Sequence, residues 1–142
     1  MLRSDLLPVT HTVLFACVHN AGRSQIAAAW FNLLADPAQA RAISAGTDPA
    51  PHVHPEVVAA MREMGIDLSN ARPSKLTQEL AQAADLLVTM GCGEQCPVVP
   101  GLRRDDWPVD DPKGESLSRV REIRDEIRRR VETLLHREGW AR

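Results

Sequence analysis

The sequence predicts an α/β fold: a single domain with an open, mostly parallel four-stranded sheet and helices on both of its faces. Two observations support this prediction. Short apolar, β-prone segments alternate along the chain with amphipathic helical segments, as in strand–helix–strand units. The 142 residues, 44% of them hydrophobic, are enough for one core and too few for two ordinary domains. We therefore expect residues 1–142 to form one globular domain.

The first half of the chain supplies two strands and two helices. The segment 11–17 (HTVLFAC) is an apolar run typical of a strand buried on both faces. Apolar residues at helical spacing predict a helix over about 24–36, and a second short strand is expected at 41–46 (RAISAG). The segment 55–65 begins with proline and ends with glycine, which predicts a second helix.

The second half continues the alternation. We expect a helix over 75–84, a third buried strand at 85–90 (DLLVTM) and a fourth strand near Val98 and Val99. The last helix carries one apolar stripe, formed by Leu117, Val120, Ile123, Ile127, Val131, Leu134 and Leu135. Ligands of such sheets bind at the carboxyl ends of the strands.

Charged residues are mixed along the chain and nearly balanced, with a formal charge of −2. This distribution favours neither a nucleic-acid groove nor a basic membrane patch. The first ten residues lack the apolar run of a signal peptide, and no window approaches a membrane span. We therefore expect a cytoplasmic protein, monomeric, acting on a small soluble substrate without nucleic-acid or membrane partners.

The chain has three cysteines, an odd number. In a compartment that keeps thiols reduced, a structural disulfide is disfavoured, and a catalytic, redox or metal-binding role is the main alternative to burial. Cys17 stands alone, whereas Cys92 and Cys96 are separated by three residues in a stretch that contains glycine.

A cysteine, five residues and an arginine join the first predicted strand to the first predicted helix (CVHNAGRS, 17–24). A loop that wraps over a helix N-terminus aims successive backbone N–H groups at one point, where a tetrahedral anion can bind. Arg23 offers a planar fork for two oxygens of that anion. The positive environment favours the nucleophilic thiolate of Cys17. The expected oxyanion-binding residues are Val18, His19, Asn20, Ala21, Gly22, Arg23 and Ser24.

Two residues suit the backbone of this loop. Gly22 permits a tight path, and Asn20 tolerates a left-handed conformation and can hold the loop through its side-chain amide.

The alternative interpretation is a buried structural thiol at Cys17 and a surface charge at Arg23, since Cys-x5-Arg also occurs by chance. The preceding apolar strand, the following serine and the helix favour the functional interpretation.

Further segments extend the pattern over nearly the whole chain: 65–76 (GIDLSNARPSKL), 85–97 (DLLVTMGCGEQCP) and 107–112 (WPVDDP). With the Cys17 loop and RAISAG, they make the chain resemble the low-molecular-weight protein tyrosine phosphatases, and among them the arsenate reductases that share this fold. The resemblance implies a phosphatase-like fold and an enzyme of arsenic detoxification that reduces arsenate to arsenite.

The resemblance also implies a mechanism. Cys17 attacks arsenate to give a covalent adduct, and Cys92 then attacks the Cys17 sulfur, which expels arsenite and leaves a 17–92 disulfide. Cys96 resolves that bond into a 92–96 disulfide. Glycines on both sides of Cys92 give the backbone the freedom for this transfer. Asp111, in an Asp-Pro pair, matches the general acid of the phosphatase fold and would protonate the leaving oxygen.

The electron donor stays open between two classes. By resemblance, no cofactor is bound, and reducing equivalents come from thioredoxin or from a low-molecular-weight thiol. The compact segment 90–97 (MGCGEQCP) is closer to relatives that use mycothiol and a glutaredoxin-like protein.

A phosphomonoesterase is the first competing hypothesis, because hydrolysis needs only Cys17, Arg23 and Asp111. A phosphotyrosine pocket needs an aromatic wall. The chain contains no tyrosine, and Trp107 is the one distant aromatic candidate.

Two further hypotheses concern the remaining cysteines. Cys92 and Cys96 could form half of a zinc site with His52 and His54, but Cys-x3-Cys without a second cysteine pair is a weak metal pattern, and we expect no metal. A sensor that binds arsenite through three thiolates would need an output segment, and the sequence offers no DNA-binding pattern.

Overall fold

The computed structural model describes residues 10–91 and 99–142. Its four strands are β1 (His11–Cys17), β2 (Ala40–Gly46), β3 (Leu86–Thr89) and β4 (Arg103–Asp106), and they form one sheet in the order β2-β1-β3-β4. All three strand pairs are parallel. The predicted open, parallel, four-stranded α/β sheet is confirmed.

The helices lie on both faces of this sheet. In chain order they are α1 (Arg23–Leu34), α2 (Pro55–Arg62), α3 (Gln78–Gln82) and α4 (Leu117–Glu138). The larger hydrophobic core contains buried residues of α1, α2 and α4, and a smaller core on the other face contains α3.

Strand β1 is buried on both faces, as its apolar run predicts. Val13 and Phe15 point into the larger core, and Leu14 and Ala16 point into the smaller one. The ring centroid of Phe15 lies 5.4 Å from that of Trp107, which is itself buried. Each large side chain fully buried in this way contributes about 1.5–3 kcal/mol to folding.

The position of β1 decides where a ligand can bind. β1 pairs with β2 on one side and with β3 on the other. The connections to these two neighbours therefore run to opposite sides of β1 and diverge at its carboxyl end. A crevice forms at such a topological switch point. Cys17 is the last residue of β1 and lies at this crevice.

The prediction for the fourth strand was wrong in position. Val99 is not in a strand, Val98 lies outside the described residues, and β4 is formed by Arg103–Asp106. Three of the four residues of β4 are exposed, because β4 lies at the edge of the sheet and, among the described strands, pairs with β3 alone. An exposed edge strand can be wholly charged, and such a segment lacks the apolar pattern by which strands are recognised.

The helix expected over 75–84 is shorter than predicted. Lys75 forms a parallel bridge with Gly46, and Leu76 donates its backbone N–H to the Gly46 carbonyl at 2.8 Å. Thr77 then caps α3, since its Oγ1 accepts from the Leu80 amide at 3.2 Å. The extended segment before the cap thus belongs to the sheet edge beside β2, a long-range contact that local propensity does not encode.

The long helix α4 matches its predicted stripe. Ser116 caps its start by accepting from the Arg119 amide at 3.1 Å, and Gly139 ends it in a left-handed conformation. Its buried apolar residues are Val120, Ile123, Ile127, Val131, Leu134 and Leu135. Within residues 10–91 and 99–142, no helix has the length and apolar character needed to cross a membrane.

Candidate active site

The loop between β1 and α1 forms the centre of the candidate site. β1 ends at Cys17 and α1 begins at Arg23, so five residues connect them. Cys17 and Asn20 are buried, whereas Val18 and His19 are partly exposed. The loop therefore ends at the N-terminus of a three-turn helix, where backbone N–H groups and the helix dipole favour an anion.

The carbonyl groups of the loop accept hydrogen bonds from the rest of the protein. A segment that follows β2 runs alongside the loop and donates backbone hydrogen bonds to four of them; the pairs are Thr47 to Cys17 at 3.2 Å, Asp48 to Val18 at 2.8 Å, Ala50 to His19 at 3.0 Å and His54 to Ala21 at 2.9 Å. In the described part of the chain, the amides of residues 18–22 donate to no carbonyl. Their N–H groups are consequently available to a ligand.

The Cys17 thiol takes part in a short chain of hydrogen bonds. Its Sγ lies 2.8 Å from Ser24 Oγ, and Asn20 Nδ2 donates to the same Ser24 oxygen at 2.7 Å. While it accepts from Asn20, the Ser24 hydroxyl still has its own hydrogen to donate. The chain therefore offers a hydrogen-bond donor to a sulfur that acts as a nucleophile.

Asn20 holds the loop in shape, as predicted. It has a left-handed backbone with φ of 50° and is completely buried. Its Oδ1 accepts from the Ser74 amide at 2.8 Å and from Gln25 Nε2 at 3.2 Å. Gln25, which sequence reasoning did not select, also donates to the Asn20 carbonyl at 3.2 Å. A glutamine in the first turn of an otherwise apolar helix was the available signal.

Gly46 is a second residue that the sequence analysis missed. A Cβ atom at this position would lie 2.5 Å from the Val18 oxygen and 2.8 Å from the Asn20 nitrogen. The last residue of β2 therefore has to be glycine for the oxyanion loop to pack against it. A glycine at the end of a predicted strand indicated such a close approach.

Gly46→Ala is expected to displace the loop, because its close contacts are backbone atoms. We expect a loss of about 1–3 kcal/mol in the free energy of unfolding, measured with urea. We also expect weaker oxyanion binding, measured as the protection of Cys17 from alkylation by phosphate. Gly65→Ala is the control, since that site has φ of +78° but open space around it. It should cost stability without affecting protection, and equal protection in both variants would contradict the prediction.

Arg23 joins the loop to two distant segments. Its Nη1 donates to the Val109 carbonyl at 3.1 Å, and its Nη2 lies 3.7 Å from Asp111 Oδ2. Gly91, with φ of +95°, packs against the guanidinium so closely that a Cβ there would lie 2.5 Å from Arg23 Nη1. Gly91 immediately precedes Cys92 in the chain. Arg23 thus contacts both the acidic turn at 110–112 and the stretch that leads to Cys92.

The two aspartates of the acidic turn differ in their surroundings. Asp111 lies next to Arg23 and accepts from the Lys113 amide at 3.0 Å. Asp110 points away from the site and forms an ion pair with Arg119 at 2.6 Å. The structure therefore brings Asp111, and not Asp110, to the oxyanion loop.

His54 reaches the loop from the start of α2. Burial lowers the pKa of His54 below its ordinary value of 6.5, and the negative charges of Asp111 and Glu56 oppose this shift. Sequence reasoning considered His54 only as a zinc ligand, although its position before a helix-starting proline marked it as a helix boundary.

Two of the predicted catalytic residues cannot be placed. Cys92 and Cys96 lie outside the described residues, and so does any zinc site built on them. In the two described ranges, no three His, Cys, Asp or Glu side chains are grouped to hold a metal ion. Trp107 packs in the core against Phe15, so it forms no wall over the oxyanion loop.

The fold and the loop together define a class of enzyme. A buried cysteine at a switch point, backbone amides that donate to no carbonyl of the described residues and a largely buried arginine are suited to covalent chemistry on a tetrahedral oxyanion. The chain belongs to the low-molecular-weight phosphotyrosine protein phosphatase family, whose sequence profile matches residues 12–139.

Relatives within this family are arsenate reductases. Arsenate reductase 2 of Staphylococcus epidermidis is 34% identical over 126 residues, which covers 86% of this chain and 94% of the relative. The arsenate reductase of Staphylococcus aureus is 34% identical over 131 residues, covering 89% and 97%. The structure of a thioredoxin-dependent arsenate reductase of Corynebacterium glutamicum superposes with a TM-score of 0.78 at 41% identity. That match covers 92% of this chain, which spans 62% of the Corynebacterium chain.

Proposed function

We propose that this chain, an arsenate reductase of the family, reduces arsenate through a disulfide relay of Cys17, Cys92 and Cys96. The observation that carries the proposal is the Cys17 thiol, bonded to Ser24 at 2.8 Å at the carboxyl end of β1. The thiol, the loop amides and Arg23 all belong to the one segment between the end of β1 and the start of α1. These groups suit arsenate, a tetrahedral anion, and the relatives named above act on arsenate.

The first step forms the bond between sulfur and arsenic. The Cys17 thiolate attacks As(V), and a hydroxyl group of arsenate leaves as water after taking a proton from Asp111. Arg23 and the loop amides bind the remaining oxygens and stabilise their charge. The contact of 3.7 Å between Arg23 and Asp111 supports this assignment, because it puts the proton donor beside the anion-binding fork.

The second step transfers two electrons. The Cys92 thiolate attacks the Cys17 sulfur, an S–S bond forms, and the S–As bond breaks with its electron pair going to arsenic. Arsenic becomes As(III) and leaves as arsenite. Cys96 then attacks Cys92, which frees the Cys17 thiolate and leaves a 92–96 disulfide. The packing of Gly91 on Arg23 supports this order, because Cys92 is covalently bonded to Gly91.

Thioredoxin is the proposed reductant of the 92–96 disulfide. It is a dithiol protein that supplies two electrons, and the Corynebacterium glutamicum relative is thioredoxin-dependent. A low-molecular-weight thiol would instead attack the arsenic adduct directly and would make Cys92 and Cys96 dispensable.

Serine variants of the two later cysteines separate these reductants. With thioredoxin, we expect Cys92→Ser to form the adduct without turnover, and Cys96→Ser to release one arsenite per enzyme and stop at the 17–92 disulfide. Arsenite release and free thiols are measured in parallel. Phosphate protection of Cys17 from alkylation should be unchanged in both variants, which controls for an intact site. Sustained turnover by Cys92→Ser with thioredoxin alone would refute the relay.

The remaining proposals concern the context of the protein. The relay needs reduced thiols at its start, which supports a location in the cytoplasm. We further propose a monomer in which residues 1–142 form one domain, and size-exclusion chromatography with light scattering tests this assignment.

A further inference from the structure

His54 is attached by its backbone to two elements of the site. Its N–H donates to the Ala21 carbonyl of the oxyanion loop at 2.9 Å. Its own carbonyl accepts from the amides of Val57 and Val58, in the first turn of α2, at 3.0 and 3.1 Å. These three hydrogen bonds hold the backbone of His54 in a fixed position relative to the loop.

The imidazole ring of His54 borders both the loop and the acidic turn. A Cβ atom placed on Gly22 would lie 3.5 Å from His54 Cδ2 and 2.7 Å from Pro112 Cγ. The ring and Pro112 thus lie side by side against the same residue of the oxyanion loop. Pro112 directly follows Asp111, so the ring lies next to the turn that carries the proposed proton donor.

The ring is not engaged in a structural hydrogen bond within the described residues. His19, by contrast, uses its Nδ1 to contact the Asp48 carbonyl at 3.0 Å. The pKa of His54 is lowered mainly by burial, so the neutral imidazole predominates at neutral pH. A fall in pH through this lowered pKa then adds a positive charge next to the loop.

Ionisable groups from three elements influence the pKa of this ring. Asp111 and Lys113 come from the acidic turn, Glu56 from α2, and His19 from the oxyanion loop. Asp111 is the strongest of these interactions. The charges of His54 and Asp111 are therefore coupled: a protonated ring favours the carboxylate, and a neutral ring leaves Asp111 with Arg23 as its cationic contact.

We propose that His54 is a positioning residue that controls the proton on Asp111. The neutral ring packs beside the acidic turn and adds no charge there. Asp111 can then carry a proton while the oxyanion is bound to Arg23. The protonated ring holds Asp111 as a carboxylate and so withdraws the proton donor. The inference rests on the proposed role of Asp111 as general acid. It predicts that His54 slows the chemical step at acidic pH while its charge helps to bind the anion.

The test measures single-turnover arsenite formation from about pH 5 to pH 8, the range in which histidine titrates. The rate of His54→Gln is divided by the wild-type rate at each pH, so that the ionisation shared by both proteins cancels. We expect this ratio to rise about three- to tenfold from pH 8 to pH 5, because the charge of the protonated ring is present only in the wild-type protein. The arsenate concentration for half-maximal rate should rise in the same variant at pH 5. His52→Gln, at an exposed neighbouring histidine, should give a constant ratio.

A permanent charge gives the converse result. His54→Lys should be slow at pH 8 and approach the wild-type rate as the pH falls and the wild-type ring becomes protonated. A purely structural role of His54 would instead lower the rates of both variants by a factor independent of pH, and that outcome would overturn the inference. Thermal melting of each variant verifies that the proteins compared are folded.

Asp111→Asn distinguishes failure of the inference from failure of the proposed function. In an Asp111→Asn background, the pH-dependent ratio of His54→Gln should disappear. If Asp111→Asn alone reduces arsenate at the wild-type rate, the proposed role of Asp111 is wrong and the His54 inference falls with it. If Asp111→Asn is slow but the His54→Gln ratio stays constant with pH, only the inference about His54 is overturned.

Discussion

Cys17→Ser is expected to abolish arsenate reduction while leaving the oxyanion site able to bind its ligand. The hydroxyl replaces a thiol that is buried and hydrogen-bonded to Ser24, so its volume and position are kept. A serine hydroxyl remains protonated at neutral pH, and no base lies in the Cys17–Ser24–Asn20 network to activate it. The rate of arsenite release with thioredoxin should fall roughly 10⁴-fold or more.

Phosphate binding is the control for this variant. Calorimetric titration of Cys17→Ser with phosphate should give an affinity within a few-fold of the wild type, because the loop amides and Arg23 are unchanged. Thermal melting should show the same fold. Arsenite release at more than a few per cent of the wild-type rate would mean that the attacking sulfur is not Cys17.

Arg23→Lys has the second largest expected effect. The guanidinium is only 12% exposed, donates to the Val109 carbonyl at 3.1 Å and approaches Asp111 at 3.7 Å. A lysine keeps the charge but loses the planar fork, so it cannot bind two oxygens of the anion while contacting Val109. We expect the single-turnover rate to fall about 10²-fold, the usual effect of losing one donor to a developing oxyanion.

Arg104→Lys is the matched control, because it removes a guanidinium group at a site outside the oxyanion loop. Arg104 is an exposed residue of β4, so the same chemical change should leave arsenate reduction unaffected. Cys17 alkylation should also show less phosphate protection in Arg23→Lys than in Arg104→Lys. Similar rates in the two lysine variants would argue that Arg23 contributes charge alone.

The strongest sequence patterns were also the best guides to structure. The apolar run 11–17 became the central strand, because a strand buried on both faces needs apolar residues throughout. The stripe of α4 was equally clear, since its apolar spacing repeats over 22 residues. Asn20 was selected for a left-handed backbone, and it has φ of 50°.

The errors share a physical cause. β4 has no apolar pattern, because an edge strand with exposed side chains can be charged. The segment before α3 has a helical composition, yet the bridge between Lys75 and Gly46 draws it into an extended conformation. In both cases a contact with a residue distant in the chain decided the conformation.

By itself, the sequence determined the order of strands and helices and the position of the Cys17 loop between the first strand and the first helix. Those features are local, since strand burial, the cysteine, the arginine and the helix start all lie within about a dozen consecutive residues. Only the tertiary structure decided which distant groups meet at that loop. Four features depend on how distant segments pack around the sheet. They are the close contact of Gly46 with the loop, the packing of Gly91 on Arg23, the choice of Asp111 over Asp110 and the position of His54. These contacts join segments that are far apart along the chain, and no local pattern of residues specifies them.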